Sequence, residues 1–250
     1  MTTIQKKYLH KLKLKYGINP HQKNASILSI ERDHLPFSVM NGTPGYVNLL
    51  DALNSWFLVN ELDNTLKLPA ASSFKHVSPA GVAISAKIND LLLDTYGYKD
   101  SNLSPLATAY IRARGADPLS SYGDFIGLSR KVDLSTANVI KNVVSDGVIA
   151  PNYDNKALEL LKQKKRGKFI ILKADPEFVI PEIEYRELGG VVFSQKRNNV
   201  KIDQKTFLNK IVTKNSKIPQ DSCRDLLLAS IALKYTQSNS VAFALDGQII

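Results

Sequence analysis

A lysine and a histidine stand side by side, Lys75 and His76, at the end of an apolar stretch in the phrase SFKHVSPAG (Ser73 to Gly81). A neutral imidazole there can take a proton as general base, and a neighbouring ammonium can stabilise negative charge that develops as the proton leaves. Consecutive strand residues face opposite sides, so the two can share one pocket only where the chain bends, and Pro79 supplies a turn. The same residues also fit a solvated strand-end lysine beside a hydrogen-bonded core histidine, and the phrase alone leaves both readings open.

Two further clusters carry chemistry. KYGINPHQ (Lys15 to Gln22) is a glycine and proline turn bearing a cation, an aromatic ring and an amide. It suits clamping a phosphate and stacking on a heterocycle, and it equally suits an ordinary structured turn. RARGADPLSSYGDF (Arg112 to Phe125) holds two arginines, several small residues and Gly123. Its glycines and hydroxyls would let backbone donors approach an anion, although it matches no Walker or dinucleotide fingerprint.

The elements that must position these clusters follow from periodicity. Residues 46–66 place Leu49, Leu50, Leu53, Trp56, Phe57 and Leu62 near one face at helical spacing, after the turn signal NGTPG. Residues 68–74 read as a buried strand, with a turn near Pro79 and a helix start at Ala80 to Ala83. Ser104 caps a helix with Pro105 at its first position and Gly115 after its end. A strand at DFIGLS, a helix at 134–144, a strand at 148–150, a helix at 156–165 and a strand at 168–172 continue the alternation. It predicts an α/β layered domain with a mixed sheet and flanking helices. A helix over 221–234 and a strand at SVAFAL follow a polar, lysine-rich stretch. DGQII then reads as a hairpin whose second strand has barely begun, so further native sequence is expected after it. The expected divisions are a basic segment over 1–14, a first subdomain over 15–200, and over 201–250 a linker with the opening of a second, similar subdomain.

At 250 residues, with 44% hydrophobic and 22% charged residues, the chain can bury a large core. Nowhere do eighteen apolar residues run together, so no membrane association is expected. Cys223 is the one cysteine, and histidines at 10, 21, 34 and 76 offer no zinc-ligand spacing, so no metal is expected and a reducing, cytosolic setting fits. The formal charge of +10 calls for anionic partners. No recognised RNA or DNA motif accompanies the lysines, so nucleic acid is not expected. The run Lys162, Lys164, Lys165, Arg166 and Lys168 would complement a helix C-terminus closed by Gly167.

In wording and order, KYGINPHQ, NGTPGYVNLLDALNSW, ASSFKHVSPAGVA, IRARGADPLSSYGDF, VSDGVIAP, SQKRNN and IALKYTQSNSVAFA resemble the transformylase part of bifunctional purine biosynthesis proteins. The likeness covers nearly the whole chain. It implies a cytidine-deaminase-like fold without that enzyme's zinc. It also implies formyl transfer from 10-formyltetrahydrofolate to the 5-amino group of aminoimidazole-carboxamide ribonucleotide (AICAR), on the path to IMP in the cytosol. By resemblance His76 is the proton acceptor and Lys75 the transition-state stabiliser. Lys15, Tyr16, Gly123, Asp146 and Asn239 match positions that contact the nucleotide, Gly123 and Asp146 serving the opposite subunit of a homodimer. Four positions depart from the family pattern: Lys15 stands in place of arginine, Pro118 in place of arginine, Val143 in place of an acidic residue and Asn152 in place of glycine. The family's second deaminase-like half and its cyclohydrolase domain have no counterpart in these residues, so ring closure is not expected. Little turnover is expected from these residues alone, and the alternative is an incompetent fragment that binds nucleotide or dimerises.

Overall fold

The computed structural model describes residues 3–30, 34–99, 102–207 and 209–250. Two strands open it, β1 (Tyr8–Lys13) and β2 (Ser26–Ile30), paired antiparallel apart from the rest. The basic segment expected over 1–14 therefore holds a strand, and its first two residues lie outside the described ones. Strand β3 (Phe37–Asn41) leads to helix α1 (Tyr46–Leu66), which begins where Gly45 N–H donates to Asn48 Oδ1 at 3.0 Å. It stops at Lys67, whose backbone turns left-handed at φ 59°. Its span is the one that its apolar spacing predicts, and of the predicted face Leu49, Trp56 and Leu62 are buried, Leu53 and Phe57 partly so and Leu50 exposed, with Leu58 and Val59 buried beside them.

The chain then runs through β4 (Ala70–Lys75), β5 (Ser78–Ile84), α2 (Asp90–Thr95), α3 (Pro105–Gly115), β6 (Asp124–Leu128), α4 (Leu134–Lys141), β7 (Ser145–Ala150), α5 (Asn155–Gln163), a 3-10 turn (Lys164–Gly167) and β8 (Ile170–Ala174). A hairpin of β9 (Ile183–Leu188) and β10 (Val191–Lys196), helices α6 (Gln204–Phe207) and α7 (Gln220–Leu233), and the short strands β11 (Ala244–Leu245) and β12 (Gln248–Ile249) complete it. Among the described residues the main sheet has eight strands in the order β11-β12-β5-β4-β6-β7-β8-β3. Within it β6, β7 and β8 are parallel and the other pairings antiparallel, so the expected mixed sheet with flanking helices is present.

Strand alternation sorts the core into two layers. Phe74, Val82, Ile84, Phe125, Ile149 and Leu172 face α1 and α7, while Ala71, Ala83, Ile126, Leu128, Val148 and Ile171 face α3, α4 and α5. Residues 201–250, set apart in the sequence as a linker and the start of another subdomain, supply α7 against α1 and the outermost strands of this same sheet. Asp225 of α7 accepts the amides of Asp246 and Gly247 at 2.8 and 2.7 Å, fixing the Asp-Gly hairpin that the sequence predicts.

Several expectations need correction. Ala80 to Ala83 do not begin a helix, because Ser78–Ile84 pair with β4 along one edge and β12 along the other. The small residues there answer a different demand, the close approach of α3: a Cβ on Gly81 would stand 1.9 Å from Ala113 O. Helix α4 stops at Lys141, because Asn142–Val144 turn to deliver β7, and the strand expected over SVAFAL shrinks to Ala244–Leu245. Gly115 is the last residue of α3 rather than the one after it.

Gly81→Ala should therefore cost about 3 kcal/mol, seen as a fall of roughly 6–12 °C in Tm by differential scanning fluorimetry. Gly189→Ala is the control: φ is +58° there and nothing stands within 4 Å, so only backbone strain acts. It should cost about 1 kcal/mol. Equal losses at the two positions would show that α3 yields to the added methyl.

Candidate active site

The three parallel strands begin at one edge of the sheet, and the β4–β5 connection and the β3–α1 loop lie at that same edge. Lys75 ends β4 and pairs in register with Ser78, leaving His76 and Val77 as a two-residue turn. Their φ values are 54° and 62°, the positive sense that a two-residue hairpin of type I′ requires. His76 is exposed and Lys75 half-buried, so the imidazole is not sealed in apolar packing. The bend that the sequence demanded is made by the histidine itself rather than by Pro79.

Strand alternation carries Lys75 toward α3, on the side of Ala71, and its Nζ donates to the carbonyl of Tyr122. Gly123 permits this approach: φ is +77°, and a Cβ would stand 3.2 Å from Lys75 Nζ. Gly123 N–H in turn donates to Val144 O at 3.0 Å, binding the segment before β6 to the one before β7.

Beneath lies a buried carboxylate. Asp124 Oδ2 accepts Ser73 Oγ at 2.7 Å and Tyr110 OH at 3.4 Å, and Oδ1 pairs with Arg114 at 3.0 Å. Burial pushes the Asp124 pKa up to about 6 against the opposing pull of the Arg114 guanidinium. Arg114 also donates to Ser121 O at 2.6 Å and Val144 O at 3.2 Å, while Arg112, 2% exposed, donates to Asp246 O at 2.6 Å. Both arginines of the RARG phrase are thus turned inward to structure rather than outward to an anion.

Asp146, second residue of β7, pairs with Lys165, which the 3-10 turn holds at φ 52°. Of the basic run only Lys162 stands in the last turn of its helix, where the whole run was expected to close it. Helix α5 ends at Gln163, and Lys164 crosses to donate to Val143 O just past α4. Asp51 faces the turn from α1, 6% exposed, and accepts Val77 N–H at 2.6 Å through Oδ1. Burial raises its pKa; the amide of Val77 and the nearness of His76 oppose the rise, and Asp146 adds to it.

Lys15 and Tyr16 line an open cleft of about 620 Å³ with residues 42–45, Asn48, Gly167 and Lys168. Asn41 Nδ2 holds its floor by donating to Phe169 O at 2.7 Å and Gly167 O at 3.0 Å. The KYGINPHQ phrase is a self-closed turn: Gly17 N–H donates to Gln22 O at 2.8 Å and Asn19 N–H to Gln22 Oε1 at 2.7 Å. Gln22's amide oxygen is therefore engaged within the turn, while Lys15 and Tyr16 project from its start. Asn239 lies elsewhere, on a second cleft of about 210 Å³ lined by Leu233, Thr236, Gln237, Ser238 and Ser240, with no lining residue in common with the first. The structure thus groups Lys75, His76, Gly123 and Asp146 at one edge, puts Lys15 and Tyr16 on the cleft at the same edge, and leaves Asn239 apart.

Asp51 and Tyr110 belong to none of the three clusters that carry chemistry in the sequence, and those clusters do not show that Ser73 and Asp124 meet. A signal existed for Asp51, a carboxylate in phase with Ser55, Leu58 and Leu62 on a face that is otherwise buried. Among the described residues no three His, Cys, Asp or Glu side chains group as metal ligands, and no helix is long and apolar enough to cross a membrane.

A family model described as the AICARFT/IMPCHase bienzyme matches residues 1–250. The bifunctional purine biosynthesis protein PurH of Thermoanaerobacter sp. (strain X514) is 29% identical over 249 residues, covering 95% of this chain and 42% of that protein. The PurH of Clostridium beijerinckii is 32% identical over 241 residues, covering 94% of this chain and 41% of that protein. That of Petrotoga mobilis is 28% identical over 234 residues, 91% and 40% respectively. The chain spans about two fifths of the length of these relatives.

The Asp124 carboxylate gives a pH test. Its folded pKa of about 6 lies above the unfolded value, so its contribution to stability is complete below about pH 4 and is lost as pH rises through about 6. Asp124→Asn removes that dependence, beside a pH-independent cost from stranding Arg114. The stability difference between parent and variant, from urea unfolding, should shrink by roughly 2.4 kcal/mol between pH 4 and pH 7. A constant difference would mean that Asp124 stays ionised throughout.

Proposed function

The chain belongs to the AICARFT/IMPCHase bienzyme family, and on that premise we propose that it serves purine biosynthesis as part of an AICAR transformylase. The reaction passes a formyl group from 10-formyltetrahydrofolate to the 5-amino group of AICAR. The amine is conjugated to the imidazole and its carboxamide, so it is a weak nucleophile whose proton must leave as the new C–N bond forms. Attack on the formyl carbon converts its oxygen to an oxyanion. Collapse breaks the bond to folate N10, which takes up a proton. His76 accepts the amine's proton, and Lys75 stabilises the oxyanion.

The observation that carries this reading is the turn itself: an exposed imidazole on a conformationally fixed hairpin whose preceding residue is a lysine, beside Gly123 and Asp146. The cleft at Lys15 and Tyr16 supports a nucleotide, with Lys15 on the phosphate and Tyr16 on the base. A lysine offers that phosphate a point charge where arginine would offer a bidentate fork, so nucleotide affinity is weakened. Asn239 matches a nucleotide-contacting position of the family, but it lines a different cleft and is not assigned to this one. The folate is a co-substrate, and no side chain of this chain is assigned to it. We read the layered sheet as cytidine-deaminase-like, the protein as cytosolic and without a metal, and the working form as a homodimer whose partner receives Gly123 and Asp146.

A second reading is favoured by one observation: Leu188, Val191, Val192 and Phe193 are exposed on the β9–β10 hairpin, an apolar surface suited to an interface. On that reading these residues hold nucleotide or dimerise without turnover.

The deciding experiment measures formyl transfer by the 250-residue chain and by the same residues joined to the remaining length of a PurH relative, with AICAR binding followed by calorimetry. Turnover is expected in the joined form and little in the shorter one. In the active form His76→Ala should lower kcat roughly a hundredfold or more with an unchanged circular dichroism spectrum. Unchanged turnover would remove His76 as the base.

A further inference from the structure

Type I′ turns favour asparagine, aspartate and glycine at their two central positions, because both need positive φ. This chain uses histidine and valine there, at 54° and 62°. A β-branched residue in the left-handed region is a conformational outlier, and it persists only when its surroundings hold it. Hydrophobic packing cannot be the holder at His76, which is exposed.

One group from another element reaches into the turn. Asp51 lies on α1, 6% exposed, two residues after the buried Leu49 and four before the buried Ser55. Its Oδ1 accepts Val77 N–H at 2.6 Å, and the amide of His76 acts on it in the same sense. A carboxylate taken out of water is costly unless charge-assisted hydrogen bonds compensate it, and the turn's amides are its donors. The titratable groups facing it are His76 on the turn and Asp146 on β7, the latter already paired with Lys165.

We propose that Asp51 is a positioning residue, which holds the His76–Val77 turn in its left-handed form and so sets the direction of the imidazole. This rests on the reading of His76 as the base, and it adds the residue through which α1 governs that base. The backbone hydrogen bond does the holding, so an uncharged acceptor of the same shape serves nearly as well, and a turn that prefers positive φ by itself does not need Asp51.

Four variants of the 250-residue chain test this: Asp51→Asn, Asp51→Ala, Val77→Gly and Asp51→Ala with Val77→Gly. Hydrogen exchange at the residue-77 amide and the His76 Cε1–Hε1 resonance report on the turn, with the resonances of His10, His21 and His34 as internal references. Asp51→Ala should speed exchange at residue 77 at least tenfold and shift the His76 resonance alone, while Asp51→Asn stays close to the parent. Adding Val77→Gly to Asp51→Ala should return the His76 resonance toward that of Val77→Gly alone, which keeps the test valid if Asp51→Ala by itself unfolds. The proposal is overturned if Asp51→Ala lowers Tm with the His76 resonance unmoved, or if glycine at 77 brings no recovery. In the form that turns over, Asp51→Ala should lower kcat about tenfold or more with KM little changed; a change confined to KM also overturns it. If these outcomes hold while His76→Ala keeps full turnover, the base assignment fails and the positioning of the ring stands.

Discussion

The buried carboxylate of Asp124 is the constraint around which this edge of the protein is arranged. It ties strand β4 through Ser73, helix α3 through Tyr110 and Arg114, and, by way of Arg114, the carbonyls of Ser121 and Val144 that precede β6 and β7. Strand β4, helix α3 and the segments that precede β6 and β7 are thus joined through one ion pair. Removing a single partner from such a buried pair costs about 3–5 kcal/mol, since the remaining charge has no water to turn to. The loop at Tyr122 and Gly123 is accordingly a fixed surface, against which Lys75 can be laid.

A second carboxylate acts from the opposite layer. Asp124 reaches β4 on the α3 side, and Asp51 reaches the turn just beyond it from the α1 side. Both have pKa values raised by burial, and both are held as acceptors by donors they position. The hairpin bearing Lys75 and His76 is therefore gripped on both faces of the sheet, and a short exposed turn acquires the rigidity of the core below it. That is how an imidazole in solvent can keep one direction without being buried.

How much of this was legible in the sequence depended on the range of the interaction. Helix α1 was readable end to end because its stripe of leucines and Trp56 is a local pattern, and the Asp246–Gly247 hairpin because its turn residues have the preferred chemistry. Ala80 to Ala83 misled because small residues after a proline also suit a helix start, whereas here Gly81 is small to admit a carbonyl from a helix more than thirty positions later. The left-handed turn at His76 and Val77 was illegible from its own residues, since neither type favours positive φ, and its cause is Asp51, which is far off in the chain. The pairing of lysine and histidine was visible as chemistry; what aims each of them was not.

The net charge of +10 raised the question of an anionic partner, and the geometry narrows where that charge can act. Along this edge most of the cations are engaged: Arg114 with Asp124, Lys165 with Asp146, Lys75 with a carbonyl at Tyr122, Lys164 with a carbonyl at Val143. The two carboxylate pairs present little net field outward, whereas Lys75 and Lys164, held against neutral carbonyls, keep their charge. Lys15 and Lys168 differ in lining an open cleft, beside the amino-terminal end of α1, where backbone N–H groups add to their pull on an anion. On the transformylase reading proposed above, that recess of about 620 Å³ is where the phosphate of the nucleotide would be held.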